Sequence, residues 1–261
     1  MPSPQTPLLT TPLLIDAHVH LHDCFELSDF LNAALANFQQ HSSQPITGAL
    51  LLAEVKDVDA FSNRLKQSQS LASWTAQPTK EDCSVWFEHK EGHKILITAG
   101  RQIVTSEKIE VLALITHQKI QDGLSLEETL LQISAADALP VLPWGVGKWI
   151  GDRGQLVQQQ LEASHKTLFA GDNGGRPALW KLPDYFYQKP QLPGSDPLPL
   201  ESEVSRAGSY GFAIDAAIDS DKPGESLKQV LQQSASSMQT YGRSQPLLQF
   251  IKSQTLLRLN P

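Results

Sequence analysis

The stretch Leu14-Ile15-Asp16-Ala17-His18-Val19-His20 constrains this chain more than any other. An apolar run of this kind reads as a buried strand. Side chains on a strand alternate between its faces, so His18 and His20 point the same way, and His22 joins them if the strand extends that far. Two neutral imidazoles at a rigid strand end can hold one metal ion, with zinc, iron or nickel as guests. For an isolated His-x-His the plain alternative is a polar strand end with solvated histidines. Context argues for the metal: the apolar strand leads directly into the histidines, and Gly194-Ser195-Asp196 waits far along the chain.

With 261 residues, 40% hydrophobic and 19% charged, the chain is long enough for one large α/β domain with a full core. Its formal net charge of -7 argues against a nucleic-acid partner, whose phosphates favour a basic stripe. The expectation is therefore no nucleic acid. The two cysteines, Cys24 and Cys83, form no CxxC pair, which argues against a disulfide framework or a cysteine-zinc site and suits a reducing, cytoplasmic setting. Residues 1–11 are rich in Pro, Thr and Ser and read as a flexible lead without signal-peptide features. No stretch approaches the ~18 apolar residues of a membrane span.

Strand and helix signals alternate along the chain. Leu27, Phe30, Leu31, Ala34, Leu35 and Phe38 form a helical stripe over about 28–40. Ile46 to Ala53 reads as a buried strand that delivers Glu54 and Asp57 at its C-terminal end, the end where barrels of parallel strands do chemistry. A short helix is expected over 58–68. About 71–117 reads as a β-rich segment, because Ser84–His89, Lys94–Gly100 and Glu110–Ile115 follow one another without a long helix. Ser125-Leu126-Glu127-Glu128 is a capping box that starts a helix running to about Ala136.

Two glycine-rich loops come next, each after a short strand. The first, from Gly145 to Gly154, carries Lys148 and Arg153 and precedes a helix expected over 155–165; the second, from Gly171 to Pro177, carries Arg176. Exposed amides, a helix N-terminus and cations can together bind an anion. Taken singly, each loop reads as tight turn chemistry with solvated charges. Their place after successive strands argues for a shared site. Tyr210–Ile214 reads as a further strand or an exit from the barrel, and 227–234 and 247–257 read as packing helices.

In this order the motifs resemble the polymerase and histidinol phosphatase (PHP) family of metal-dependent phosphoesterases, related in look to the amidohydrolases. Asp16-Ala17-His18-Val19-His20 is similar to the family's DxHxH. The segment Gly92 to Leu114 is similar to its strand pair bearing a ligand glutamate, Gly123 to Thr129 to the helix start that follows, and Gly194-Ser195-Asp196 to its GSDAH. The resemblance implies a distorted, TIM-like (β/α)7 barrel in a single domain spanning 1–261. Departures are equally clear. Glu54 stands near the family's TDH, Gln102 replaces the ligand glutamate, Trp144 before Gly145 replaces a histidine before proline, and Pro197 and Leu198 replace the last histidine.

The surviving ligands are His18, His20 and Asp196, enough for one divalent ion of zinc, manganese or iron. The implied activity is hydrolysis of a small anionic substrate by a metal-activated water. Asp196 is then ligand or general base, with Glu54 a second catalytic candidate. Lys148, Arg153, Arg176 and Arg101 would bind the anion. His22, His93 and His117 are further candidates, each first a surface or core histidine. The alternative is a catalytically inactive PHP-fold protein that binds a small anionic ligand, favoured by Gln102 and Trp144 because neither amide nor indole replaces an anionic or imidazole ligand. An unrelated barrel with a coincidental His-x-His is the third reading.

Overall fold

The chain was analysed as a computed structural model, which describes residues 12–42, 45–66, 70–145, 147–163, 167–177, 180–233 and 237–259. The N-terminal lead lies outside these. Strand β1 (Leu13–Val19) is followed by helix α1 (Leu27–Gln39), strand β2 (Thr47–Leu52) and a π-helical turn (Phe61–Leu65) where a short helix was expected. Six strands then run without an α-helix between them: β3 (Ser70–Leu71), β4 (Trp74–Pro78), β5 (Ser84–His89), β6 (Lys94–Thr98), β7 (Gly100–Val104) and β8 (Glu110–Leu114). Helix α2 (Leu126–Ala135), strand β9 (Leu139–Pro143), helix α3 (Asp152–Glu162), strand β10 (Phe169–Gly171), strand β11 (Tyr210–Ile214), helix α4 (Pro223–Gln233), strand β12 (Gln239–Gly242) and helix α5 (Leu247–Leu259) complete the order.

Local chemistry accounts for most helix positions. All six residues of the α1 stripe are buried. Helix α2 begins at the expected capping box, Ser125 Oγ accepting from Glu128 N at 3.2 Å while Ser125 N donates to Glu128 Oε2 at 3.1 Å. Helix α3 starts three residues earlier than expected, so Arg153 belongs to its first turn; the expected end at 165 lies outside the described residues.

The strands form two sheets, in the orders β12-β11-β1-β2-β6-β5-β4-β3 and β10-β9-β8-β7. Pairs β1/β2, β2/β6 and β9/β10 are parallel, the rest antiparallel. The result is a mixed α/β single domain. Among the described residues the ladders form two sheets and not one continuous closed ladder. A strand needs paired neighbours along both edges to close a ladder, and here the two junctions between sheets are isolated bridges and scattered hydrogen bonds. At one, Glu54 pairs with Arg101, Glu54 N bonding Gly100 O and Gln102 N bonding Glu54 O. At the other, the extended segment 190–196 lies between β1 and β10: Ala17 N bonds Pro193 O, Asp196 N bonds His18 O, and Leu192 N bonds Ala170 O.

Apolar side chains fall into three buried groups that follow strand alternation. Leu13, Ile15 and Ala17 of β1 meet Ala49 and Leu51 of β2, Leu112 and Leu114 of β8, Val141 of β9 and Phe169 of β10, filling the space between the sheets. Leu14 and Val19 turn the other way, towards Phe30, Ala34 and Phe38 of α1. Ile103, Val111 and Ala113 pack with Leu130 and Ile133 of α2 and Val157 and Leu161 of α3. At roughly 25 cal/mol per Å² of apolar surface removed from water, such burial is the main force holding the layers together.

Candidate metal centre and adjoining cleft

A β-bulge decides which way the two histidines point. Along β1, Asp16 lies opposite Leu50 and Val19 opposite Leu52, three steps against two. The extra residue reverses the alternation. Before it, the odd-numbered Leu13, Ile15 and Ala17 face the space between the sheets; after it, Val19 packs towards α1 while His18 and His20 turn inwards. Their Nε2 atoms lie 3.1 Å apart, and both side chains are buried.

Asp196 completes the group from the segment across β1. Its Oδ1 lies 3.2 Å from His20 Nε2 and 3.6 Å from His18 Nε2. Its backbone has φ +46, a left-handed conformation that turns the carboxylate towards the histidines. Gly194 makes this approach possible: a Cβ there would lie 2.3 Å from His18 N and 2.4 Å from His18 Cβ. Asp16, quoted in the same motif, serves a different purpose. It is fully buried and accepts from Ser195 N at 2.8 Å, Gly208 N at 2.9 Å and His18 N at 3.3 Å, tying β1 to the segment that carries Asp196. Burial pushes its carboxyl up to about 7 against those hydrogen bonds.

The donor set fits a metal ion in chemistry and in size. Four ligands around zinc with bonds of 2.0–2.1 Å would be separated by roughly 3.3 Å on a tetrahedral edge. The three spacings here are 3.1, 3.2 and 3.6 Å. Gln102 Oε1 stands 3.3 Å from His18 Nε2, a neutral oxygen where the sequence comparison expected a glutamate. Burial lowers the pKa of His18 and favours neutral imidazole. For Asp196 burial opposes ionisation, but the hydrogen bond with His20, the Arg206 charge and any proton carried by the histidine pair outweigh it and hold the carboxyl well below its usual range. A metal requires neutral imidazole and ionised carboxylate, the forms towards which His18 and Asp196 are pushed. His18 Nδ1 is buried without a hydrogen-bond partner among the described residues, so this imidazole lacks the outer support that usually orients a ligand.

A cleft of about 230 Å³ opens beside Asp196, lined among others by Trp144, Lys148, Asn173, Arg176, Gln245 and Phe250. Thus Lys148 and Arg176, one from each glycine-rich loop, line the same cleft. Both have partners: Lys148 pairs with Glu110, while Arg176 holds Asp172 through Nε at 3.1 Å and Nη2 at 3.0 Å and donates from Nη1 to Trp180 O at 2.6 Å. Asn173 donates to Asp196 and accepts from Gly175 N at 2.7 Å, so the second loop also braces the carboxylate.

Other residues singled out from sequence lie elsewhere. Arg153 is not among the cleft's lining residues; its Nη2 donates to Gly147 O at 3.1 Å. Glu54 and Arg101 hold each other at 3.2 Å, and Glu54 also accepts from Phe61 N at 2.7 Å. Alternation explains this placement. Ala53 joins the inner group, so Glu54 turns outwards; Gln102 faces inwards with its cross-strand partner Leu112, so Arg101 turns away. His22 Nε2 lies 2.9 Å from Pro197 O, His93 Nδ1 accepts from Ile46 N at 3.0 Å, and His117 pairs with Asp82 at 3.1 Å. Sequence reasoning missed Asn173, Gln245 and Glu110 as site residues. Asn173 sat inside a loop already noted for its arginine; the other two carried no local signal.

No protein-family description matches the chain, and no curated protein matches it by sequence. Two solved structures are similar in fold. PsfC from Pseudomonas syringae PB-5123 aligns with a TM-score of 0.57 at 13% identity, covering 94% of this chain and 97% of its own. Endonuclease Q, in complex with a 27-mer duplex substrate bearing an abasic lesion, aligns with a TM-score of 0.52 at 10% identity, covering 92% of this chain and 66% of its own. The likeness is one of fold. The second structure corrects the expectation of no nucleic acid: net charge cannot exclude such a partner, because a protein of similar fold holds a nucleic-acid duplex. Phosphate contacts depend on local cations rather than on the chain's total charge. No helix among the described residues is long and apolar enough to cross a membrane.

Proposed function

We propose that this chain is a metal-dependent hydrolase of PHP type, acting on an anionic ester or amide held in the cleft beside Asp196. The convergence of His18, His20 and Asp196 at spacings suited to one ion carries the reading. The bridged junctions at Glu54 and at segment 190–196 support a distorted barrel of seven backbone segments, with the site at the C-terminal mouth of its parallel strands.

A divalent zinc, manganese or iron ion bound there supplies a water acidified towards neutral pH. His18 and His20 contribute neutral nitrogens, and Asp196 contributes negative charge. Lys148 and Arg176 orient the anionic end of the substrate and oppose charge that develops on it. Asn173 keeps Asp196 turned towards the histidines.

Purified without chelator, the protein is expected to carry about one equivalent of metal, lost in the H18A/H20A double variant. Metal-free wild type, or equal metal in the variant, refutes the metal centre. A screen of phosphomonoesters, lactones and amides with and without added manganese tests turnover. The second reading, a binding protein without catalysis, is favoured by Gln102 at a ligand position and by the acidic partners of both cleft cations. It predicts metal and ligand binding without turnover in that screen.

A further inference from the structure

The cleft has a polar end at Asp196 and an aromatic wall farther out. Trp144, from the end of β9, and Phe250, from α5, both line it. Trp180 ties the two together, with its ring centroid 6.4 Å from that of Trp144, edge-on, and 5.9 Å from that of Phe250. Arg176 in turn fixes the backbone of Trp180. Rings held in this way offer a planar ligand a preformed surface at little entropic cost.

One polar group on that wall is unused. Gln245 is buried, lines the cleft, and its Nε2 has no hydrogen-bond partner among the described residues. A buried amide donor left unpaired is costly, so it marks a place where an acceptor belongs. Its backbone is anchored: Gln245 N donates to Gly174 O at 2.9 Å, and Gly174 N donates to Gly194 O at 2.7 Å. Two such inter-strand steps separate Gln245 from the segment carrying Asp196 by up to ~10 Å. Cleft volume limits the ligand as well. About 230 Å³ lies below the ~300–1,000 Å³ of sites for drug-sized ligands and suits a single ring.

From these features, the geometry points to a monocyclic aryl substrate with an anionic group at the Asp196 end and a hydrogen-bond acceptor on the far side of its ring, read by the Gln245 amide. The inference rests on the metal group being the reacting end, and it names the substrate class of that site. Gln245 is a specificity-determining residue in this account.

Hydrolysis-resistant phosphonates test it by calorimetric titration of the metal-loaded protein. Phenylphosphonate is expected to bind about tenfold tighter than propylphosphonate, and 4-acetylphenylphosphonate about tenfold tighter again. In Gln245→Leu the acetyl advantage, read as the ratio of the two aryl affinities, falls below about twofold. Equal affinity for the propyl and phenyl compounds, no acetyl advantage in wild type, or an advantage retained in a folded Gln245→Leu overturns the proposal. The wild-type comparisons stand even if the variant does not fold. Turnover of the matching phosphate esters is measured separately. Preferences without turnover refute the hydrolase and leave the ligand class intact; turnover without preferences does the reverse.

Discussion

Replacing Gly194 by alanine should damage fold and site together. A Cβ at 2.3 Å from His18 N and 2.4 Å from His18 Cβ cannot be accommodated by rotating a side chain, because the main obstacle is backbone. Segment 190–196 must withdraw from β1, weakening Ala17 N to Pro193 O at 3.1 Å and Asp196 N to His18 O at 2.8 Å. Overpacking of this kind costs about 1–3 kcal/mol, and each hydrogen bond contributes about 0.5–1.5 kcal/mol. The sum is about 4 kcal/mol, a fall in Tm of ~10 °C for a domain of this size. Asp196 moves with the segment, so metal affinity should fall by about 10–100-fold, the range seen when a ligand loses its support. Urea unfolding and metal titration measure the two effects. Gly123→Ala is the control: its φ is +83, but its Cβ meets nothing within 4 Å, so it should cost only about 1 kcal/mol and spare the metal. Wild-type stability and metal affinity in Gly194→Ala would refute the account of how Asp196 reaches the histidines.

Three further outcomes are expected. Arg101→Leu should destabilise by about 3–5 kcal/mol because it leaves Glu54 buried without its cation, whereas the Arg101→Leu/Glu54→Leu double variant should recover much of that loss in a denaturation cycle; additive losses would contradict the pairing. Ser125→Ala should cost about 1 kcal/mol by uncapping α2, detectable in the same unfolding assay, and an unchanged midpoint would argue against the cap. Burial, followed by the neighbouring Glu81 and Asp82, pushes the Cys83 thiol up to about 11 from its ordinary 9.0. The native protein should therefore resist iodoacetamide at Cys83 at pH 8. The stability this protonated thiol contributes is fully present below about pH 9 and is lost as pH rises through about 11, so Cys83→Ser should flatten that part of the stability profile.

Several features were legible because their causes are local. The α1 stripe depends only on spacing, and all its apolar residues are buried. The α2 start depends on two side chains three residues apart. The Gly-Ser-Asp motif likewise located a carboxylate that meets the histidines, and the alignment at Gln102 found the residue beside His18. Other features depend on contacts across the chain. Glu54 looked like a catalytic acid because it follows a buried strand, and Arg101 was expected to bind the anion, yet alternation turns both away from the site and into each other. Gln245 carried no signal, since only the pairing of its backbone with Gly174 brings it to the cleft.

The opening strand shows where local chemistry stops. Sequence alone determined that the stretch from Leu14 into the histidines forms a buried strand, that His18 and His20 share a face, and that a distant Asp196 has the chemistry to join them. It did not determine which face. Uninterrupted alternation would send both histidines with Leu14 and Asp16 towards α1, away from the space between the sheets. The extra residue between Asp16 and Val19 reverses that direction. Nothing in Asp16-Ala17-His18 demands a bulge; it arises because β1 must match the register of β2 while Gly194 packs against His18 and Asp16 holds Ser195 and Gly208. Those are tertiary constraints, imposed by segments far apart in sequence, and they turn a pair of histidines into a candidate metal centre.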